Sequence, residues 1–225
     1  MIIFKDVTKE FGSIVALKSI DLLIDKGEFV FLTGPSGSGK TSLLRLLLRE
    51  INPDKGQIEV NGVDITKLKK NKVPAYRQKI GVVFQDFKLI NELTIYENIA
   101  VPLRVVGMKR NEIHTKVHAI AKLVGLEHRL GIFPSQMAGG ELQRACLARA
   151  VIGQPTLLLA DEPTGNLDPV TSWQIMQLLE KINNLGTTVV MATHNLEIIE
   201  AMSRRTIMLE HGSVIDDKKT PNETH

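Results

Sequence analysis

The chain has 225 residues, 43% hydrophobic and 24% charged, with a formal net charge of +3, the composition of a folded protein long enough for one large α/β unit. Lys and Arg are scattered along it, which argues against a nucleic-acid binder, while a sequence pI of about 8.9 suits a place beside an anionic membrane surface. A single cysteine, Cys146, excludes an internal disulfide and a cysteine-built metal site, and no apolar run approaches the ~20 residues of a membrane span.

The first ten residues include Lys5 and Asp6 and hold no apolar stretch of signal-peptide length. Action at a membrane is therefore expected to need spans supplied by a partner. Ile2–Val7, Ala16–Ile24 and Gln57–Val60 read as short strands, with turn signals at Phe11-Gly12, Lys26-Gly27 and Asn61-Gly62. Glu28–Thr33 is an apolar run suited to a buried parallel strand, and Thr41–Glu50 has a helical pattern. The basic stretch Lys67–Lys72 reads as a solvated loop. From Asn91 to Ala150 the pattern is helical, with Val117, Ile120, Ala121 and Val124 at helix spacing. It predicts a helical subdomain inserted at about 87–150, in which Cys146 is a small buried apolar residue. Strands at Thr156–Ala160, Thr187–Ala192 and Thr206–Leu209 then alternate with helices at Val170–Asn183 and Leu196–Met202, which predicts a mostly parallel sheet covered by helices. The polar end, Asp216–His225, reads as a frayed tail.

Gly34-Pro35-Ser36-Gly37-Ser38-Gly39-Lys40-Thr41 fits the pattern G-x-x-x-x-G-K-[ST] at every fixed position, after an apolar strand and at the head of a helix. Glycines let the backbone wrap a phosphate with its N–H groups turned inward, and the helix N-terminus adds the positive end of a dipole. Lys40 is expected to reach the β and γ phosphates and the Thr41 hydroxyl to ligate Mg²⁺, with Ser42 completing the ATP-binding segment. Leu157–Ala160 is a second apolar run, ending in Asp161 and Glu162. Such a strand carries two carboxylates to the carboxyl edge of the sheet, where Asp161 would hold Mg²⁺ and Glu162 would activate the attacking water.

Ser135-Gln136-Met137-Ala138-Gly139-Gly140-Glu141-Leu142-Gln143-Arg144 resembles the signature motif of ABC ATPases and lies shortly before the carboxylate strand. Gln85 stands at the family's Q-loop position, Asn166-Leu167-Asp168 matches its D-loop, and His194 in Ala-Thr-His-Asn matches its switch histidine. Phe11 falls where the family has an aromatic that stacks on adenine. The resemblance runs from Ile2 to about Ile215. It implies an α/β P-loop cassette with an N-terminal antiparallel β subdomain and an inserted helical subdomain. It further implies ATP and Mg²⁺ as ligands, with Gln85 serving both metal and catalysis. It also implies a head-to-tail homodimer in which Ala138, Gly139, Gly140 and Glu141 of one copy cover the phosphate loop of the other.

Val82–Ile90 and Leu93–Leu103 are similar to the cell-division ATPases of that family, which implies a polytopic membrane partner and a peripheral place on the cytoplasmic face of the membrane. Phe87, Leu89, Ile90, Leu93 and Tyr96 would line a groove for that partner or fill the core of the helical subdomain. Lipoprotein-release and macrolide-export ATPases share Pro163–Asp168 and are the alternative. A P-loop kinase would share only the phosphate loop, and nucleic-acid-linked relatives usually carry a coiled-coil insertion, zinc cysteines or a second cassette. The signature departs from the usual pattern at Met137, Leu142 and above all Ala138, where the family has serine. A hydrogen bond to a charged group is worth roughly 1.5–3 kcal/mol, so losing that hydroxyl predicts closure or turnover weakened by about ten- to a hundredfold. The expectation is a slow ATPase, with a nucleotide-driven dimerisation switch of very low turnover as the other outcome.

Overall fold

The computed structural model describes residues 1–219, and residues 220–225 of the expected tail lie outside them. The chain divides into two compact units, one made of Met1–Arg77 with the segment from Thr188 onward, the other of Gln78–Thr187.

In the first unit β1 (Ile2–Phe11) and β2 (Ile14–Ile24) form an antiparallel hairpin with Phe11 opposite Ile14. The next strand, β3 (Phe29–Thr33), is buried at every position, as a strand covered on both faces must be. Helix α1 (Lys40–Leu47) buries Leu43, Leu44, Leu46 and Leu47 and leaves Arg45 in solvent, the apolar stripe of an amphipathic helix. β4 (Lys55–Val60) lies antiparallel to β1, and β5 (Val63–Asp64) folds back on it across Asn61 and Gly62, whose φ values are 49° and 79°. Two successive positive φ values are what a tight two-residue hairpin needs. The sheet order is β2-β1-β4-β5. The lysines at 67, 69, 70 and 72 are exposed, with a single 3-10 turn at Lys70–Lys72 before the short α2 (Val73–Arg77).

The second unit holds β6 (Ile80–Val83), then α3 (Ile95–Val105), α4 (Arg110–Val124) and α5 (Gly139–Val151), then β7 (Leu157–Asp161) and α6 (Pro169–Asn184). β6 and β7 are parallel, with Val83 opposite Ala160. α3 starts with a complete capping box: the Thr94 hydroxyl accepts from the Glu97 N–H at 3.3 Å and the Glu97 carboxylate from the Thr94 N–H at 2.9 Å. The buried Asn98 side chain accepts from the Ile90 N–H at 2.8 Å and donates to the Ile90 and Leu93 carbonyls, fixing the loop that enters α3. Cys146 is buried, as its neighbours suggested.

Back in the first unit come β8 (Thr188–Ala192), α7 (Leu196–Met202), β9 (Arg205–Glu210) and β10 (Ser213–Lys218). β8 and β9 flank β3 in parallel, and β10 runs antiparallel to β9. Asp216–Lys218 therefore belong to a strand, not to a frayed tail. Their anchor is Arg205, 3% exposed, which donates to both Glu28 carboxylate oxygens at 2.9 and 3.1 Å and to both Asp217 oxygens at 2.7 Å. Removing one partner of such a buried pair typically costs about 3–5 kcal/mol. No helix among the described residues is long and apolar enough to cross a membrane.

Candidate functional site

In the first unit the loop from Gly34 to Gly39 joins β3 to α1. Its two glycines are dictated by close approach: a Cβ on Gly34 would stand 2.0 Å from the Leu209 carbonyl, and one on Gly39 2.6 Å from that of Ala16. Gly39 is the N-cap of α1 and no side chain among the described residues caps the helix there, so the positive end of the helix dipole faces the loop, which suits an anion. Lys40 folds back over the loop, its ammonium donating to the Gly34 and Pro35 carbonyls at 2.7 and 3.0 Å. Ser38 is 2% exposed and its hydroxyl has no hydrogen-bond partner among the described residues. A buried hydroxyl left open beside a helix N-terminus and an ammonium makes a cradle suited to phosphate. Pro35, Ser36, Gly37 and Thr41 are exposed and Ser42 is half-buried.

His194 follows β8, whose Ala192 lies opposite Leu32 of β3, and the Thr193 N–H donates to the Leu32 carbonyl at 3.1 Å. That register brings His194, which is exposed, to the same strand edge as the glycine loop. Asn195 then caps α7 by accepting from the Ile198 N–H at 3.2 Å, so the histidine sits on a fixed turn. Phe11, at the tip of the first hairpin, is 42% exposed with the Lys9 ammonium 5.2 Å from its ring centre.

The second unit gathers the other predicted residues. The pairing of Val83 with Ala160 sets Gln85 and Asp161 at one edge of the β6–β7 pair. Glu162 turns away from the strand with φ of 48°, and its carbonyl accepts from the Gly165 N–H at 3.1 Å. A left-handed glutamate is unusual, and such conformations concentrate at functional sites. Gly165 lies beside Gln85, since a Cβ there would be 3.3 Å from the Gln85 Nε2. Asp168 caps α6, accepting from the Thr171 N–H at 3.0 Å and from its hydroxyl, and that hydroxyl first, then the N–H, holds the carboxyl below the usual aspartate range. Thr171 in turn abuts the signature: its Cγ2 would be 2.4 Å from a Cβ on Gly140. Thr171 belongs to none of the motifs in the sequence; its signal is the aspartate three residues earlier, an N-cap residue type just before a helix.

The signature glycines open α5. Ala138 is the N-cap, and the Glu141 carboxylate accepts from the Ala138 N–H at 3.1 Å and from the Arg129 Nε at 2.9 Å. Alanine offers no oxygen in return, so only the glutamate half of a capping box exists. Ala138 and Gly139 are exposed, Gly140 and Glu141 half-buried. Of the apolar residues expected in a groove or a core, Phe87, Leu89, Leu93 and Tyr96 are half-buried and Ile90 is 41% exposed. None of them is a closed core residue.

The candidate metal donors are, in the first unit, the Thr41 hydroxyl and, in the second, the Asp161 carboxylate and the Gln85 amide oxygen. Each is an oxygen donor of the kind Mg²⁺ takes beside phosphate oxygens and water. Among the described residues no group of three or more His, Cys, Asp or Glu could hold a metal by itself.

A family model described as ABC transporter matches residues 17–165. The chain is 48% identical over 219 residues to the cell division ATP-binding protein FtsE of Bacillus subtilis (strain 168), covering 97% of this chain and 96% of that protein. It is 47% identical over 221 residues to the protein of that name from Mycobacterium tuberculosis, with 97% and 96% covered. With the one from Escherichia coli K12 the identity is 44% over 213 residues, covering 94% and 96%. A solved structure, the dimeric post-hydrolysis state of the ATP-binding cassette MJ0796 bound to ADP and Pi, superposes with a TM-score of 0.90 at 37% identity, over 99% of this chain and 100% of that one.

Proposed function

The chain belongs to the ABC transporter family, and from that premise we propose that it is the ATPase subunit of a membrane-bound cell-division complex, acting as a head-to-tail dimer that closes on two ATP molecules with Mg²⁺. It binds and hydrolyses ATP, and it is similar to FtsE over nearly its whole length. The observation that carries the dimeric reading is the presence of two glycine-led helix N-termini whose N-cap residues offer no side-chain oxygen, at Gly39 in one unit and at Ala138–Gly139 in the other. Each is an anion cradle. One copy uses the first on its own nucleotide and offers the second to its neighbour's. The similar cassette MJ0796 is itself dimeric with ADP and Pi bound, which supports a nucleotide-bound dimer.

In this reading the first-turn N–H groups of α1 and the Lys40 ammonium bind the β and γ phosphates, the Ser38 hydroxyl gains the partner it lacks, and Phe11 stacks on the adenine. Thr41, Asp161 and Gln85 would hold Mg²⁺, which neutralises phosphate charge when bound. Glu162 takes the proton from the water whose oxygen attacks the γ-phosphorus, while His194 touches the γ-phosphate and helps to orient that water. Gly139 and Gly140 of the second copy bring backbone N–H groups to the charge that develops. The membrane partner is a polytopic protein resembling FtsX, seated against the half-exposed residues from Phe87 to Tyr96 and holding the subunit at the cytoplasmic face.

The test is phosphate release and light scattering with ATP, on protein purified alone and with its membrane partner. The parent should turn over slowly, and Glu162→Gln should bind ATP, persist as a dimer and lose about 100-fold or more in rate. Glu162→Gln hydrolysing at the parent rate would remove Glu162 from its role. Failure of any FtsX-like protein to co-purify from membranes would remove the complex. Ala138, with no hydroxyl to offer, favours a second reading in which ATP mainly drives dimerisation, and an immeasurably slow parent would support it.

A further inference from the structure

Two and three residues beyond Gln85, Phe87 and Lys88 hold φ values of 60° and 50°. Successive left-handed residues with full side chains are rare and persist only where the surroundings impose them. The surroundings here are the last turns of α5. The Arg149 guanidinium donates from Nη1 to the Lys88 carbonyl at 2.7 Å and from Nη2 to the Phe87 carbonyl at 3.1 Å. The Cys146 thiol donates to the same Phe87 carbonyl at 2.9 Å. Burial pushes that thiol up to about 12, so it stays protonated and remains a donor. Cys146 and Arg149 are three apart and share a helix face. Within the turn, the Lys88 N–H donates to the Asp86 carbonyl at 2.6 Å, and the Lys88 ammonium lies 4.0 Å from the Phe84 ring centre.

A planar fork set on two consecutive carbonyls fixes the relative orientation of their two peptide planes, and so the backbone angles of Lys88, which a single point donor cannot do. We infer that Arg149, with Cys146 beside it, is a positioning residue for ATP hydrolysis: it clamps the Phe87-Lys88 knuckle and so fixes where the Gln85 side chain stands. The clamp also has a reach. α5 begins at Gly139 and runs unbroken past Arg149, so the helix that presents the signature glycines also sets the conformation of the Gln85 loop. A shift of one requires a shift of the other. This rests on the proposed role of Gln85 at the nucleotide.

The test is a double-mutant cycle on ATP turnover with Gln85→Ala, Arg149→Gln and their combination, alongside thermal unfolding of each variant. Arg149→Gln should lower kcat by about tenfold with little change in the KM for ATP, since a small misplacement near the chemistry is costly. It should lower kcat no further when Gln85 is already alanine. Arg149→Lys should recover part of the loss, because an ammonium can serve one of the two carbonyls. Additive losses, or a lower melting temperature with unchanged kcat, would overturn the clamp while leaving Gln85 in its role. Gln85→Ala at the parent rate would overturn the role of Gln85 and the clamp with it. Should Arg149→Gln not fold, Cys146→Ala and Arg149→Lys run the same cycle, each with a smaller fall in kcat that vanishes in the Gln85→Ala background.

Discussion

Ala138 has φ of −72° and ψ of 157°, the extended geometry that a serine N-cap adopts. Replacing it with serine should therefore require no backbone adjustment. The new hydroxyl oxygen would accept from the Glu141 N–H while the Glu141 carboxylate continues to accept from residue 138 at 3.1 Å. That would complete the box which Thr94 and Glu97 already form at the start of α3. A cap of this kind is worth about 0.5–2 kcal/mol, and each kcal/mol raises the melting temperature of a chain this size by roughly 2–4 °C. The hydroxyl has one donor and two acceptor positions. Its proton remains available after it has capped the helix. In the closed dimer it would donate to the γ-phosphate, adding about 1.5–3 kcal/mol and accelerating turnover or tightening dimerisation by about ten- to a hundredfold.

The two effects are read separately. Thermal unfolding without nucleotide reports the cap alone, because no phosphate is present. Phosphate release at saturating ATP, with light scattering to follow dimerisation, reports the contact across the dimer. A melting temperature that does not rise refutes the cap. Unchanged turnover together with unchanged ATP-induced dimerisation refutes the account of the missing hydroxyl, even if the protein has become more stable.

Gly34→Ala is expected to abolish nucleotide binding and to destabilise the first unit, because the added carbon meets the Leu209 carbonyl at 2.0 Å on a backbone with φ of 133°; wild-type affinity for a fluorescent ATP analogue would contradict it. Glu97→Gln tests the α3 capping box by pH. The Thr94 N–H first, then its hydroxyl, hold the Glu97 carboxyl below the usual glutamate range, so its contribution is fully present above the unfolded value and is lost as pH falls through the folded one. The gap in unfolding midpoint between parent and Glu97→Gln should be constant near neutrality and close below about pH 4; a gap that persists undiminished to pH 3 would refute the assignment.

The parts of this fold that were legible in the sequence are those governed by local spacing. The glycine loop with Lys40 and Thr41, the apolar runs of β3, β7 and β8, and the helical stretch between β6 and β7 all announce themselves by residue type and period. β10 does not. Ser213–Lys218 carries three charges in six residues, and it is a strand because β9 offers a ladder and Arg205 offers a buried partner to Asp217. β6 is only four residues long and is held by β7, so nothing in its own composition marks it. The same distinction applies at the site. Glu162 was legible as an acid at the end of a strand, but its left-handed backbone follows from the turn that the Gly165 N–H closes on its carbonyl. The Phe87-Lys88 knuckle is invisible from its residues, since its donors lie some sixty positions away on α5.

Gly139 and Gly140 read alike in the sequence, as two glycines of one phosphate-facing motif, yet they meet different surroundings. A Cβ on Gly140 would lie 2.4 Å from the Thr171 Cγ2, and Thr171 is held by Asp168 at the start of α6. Any side chain at 140 must therefore move the Thr171 side chain, whose hydroxyl Asp168 holds, with or without nucleotide. At Gly139 the nearest atoms to an added Cβ are the Leu167 Cδ2 at 3.6 Å and the Phe87 ring at 4.0 Å, ordinary van der Waals separations that accept a methyl group. Lost activity in a Gly140 variant thus speaks first to packing within the second unit. Gly139 is where an added methyl separates the approach of backbone to phosphate from the integrity of the fold.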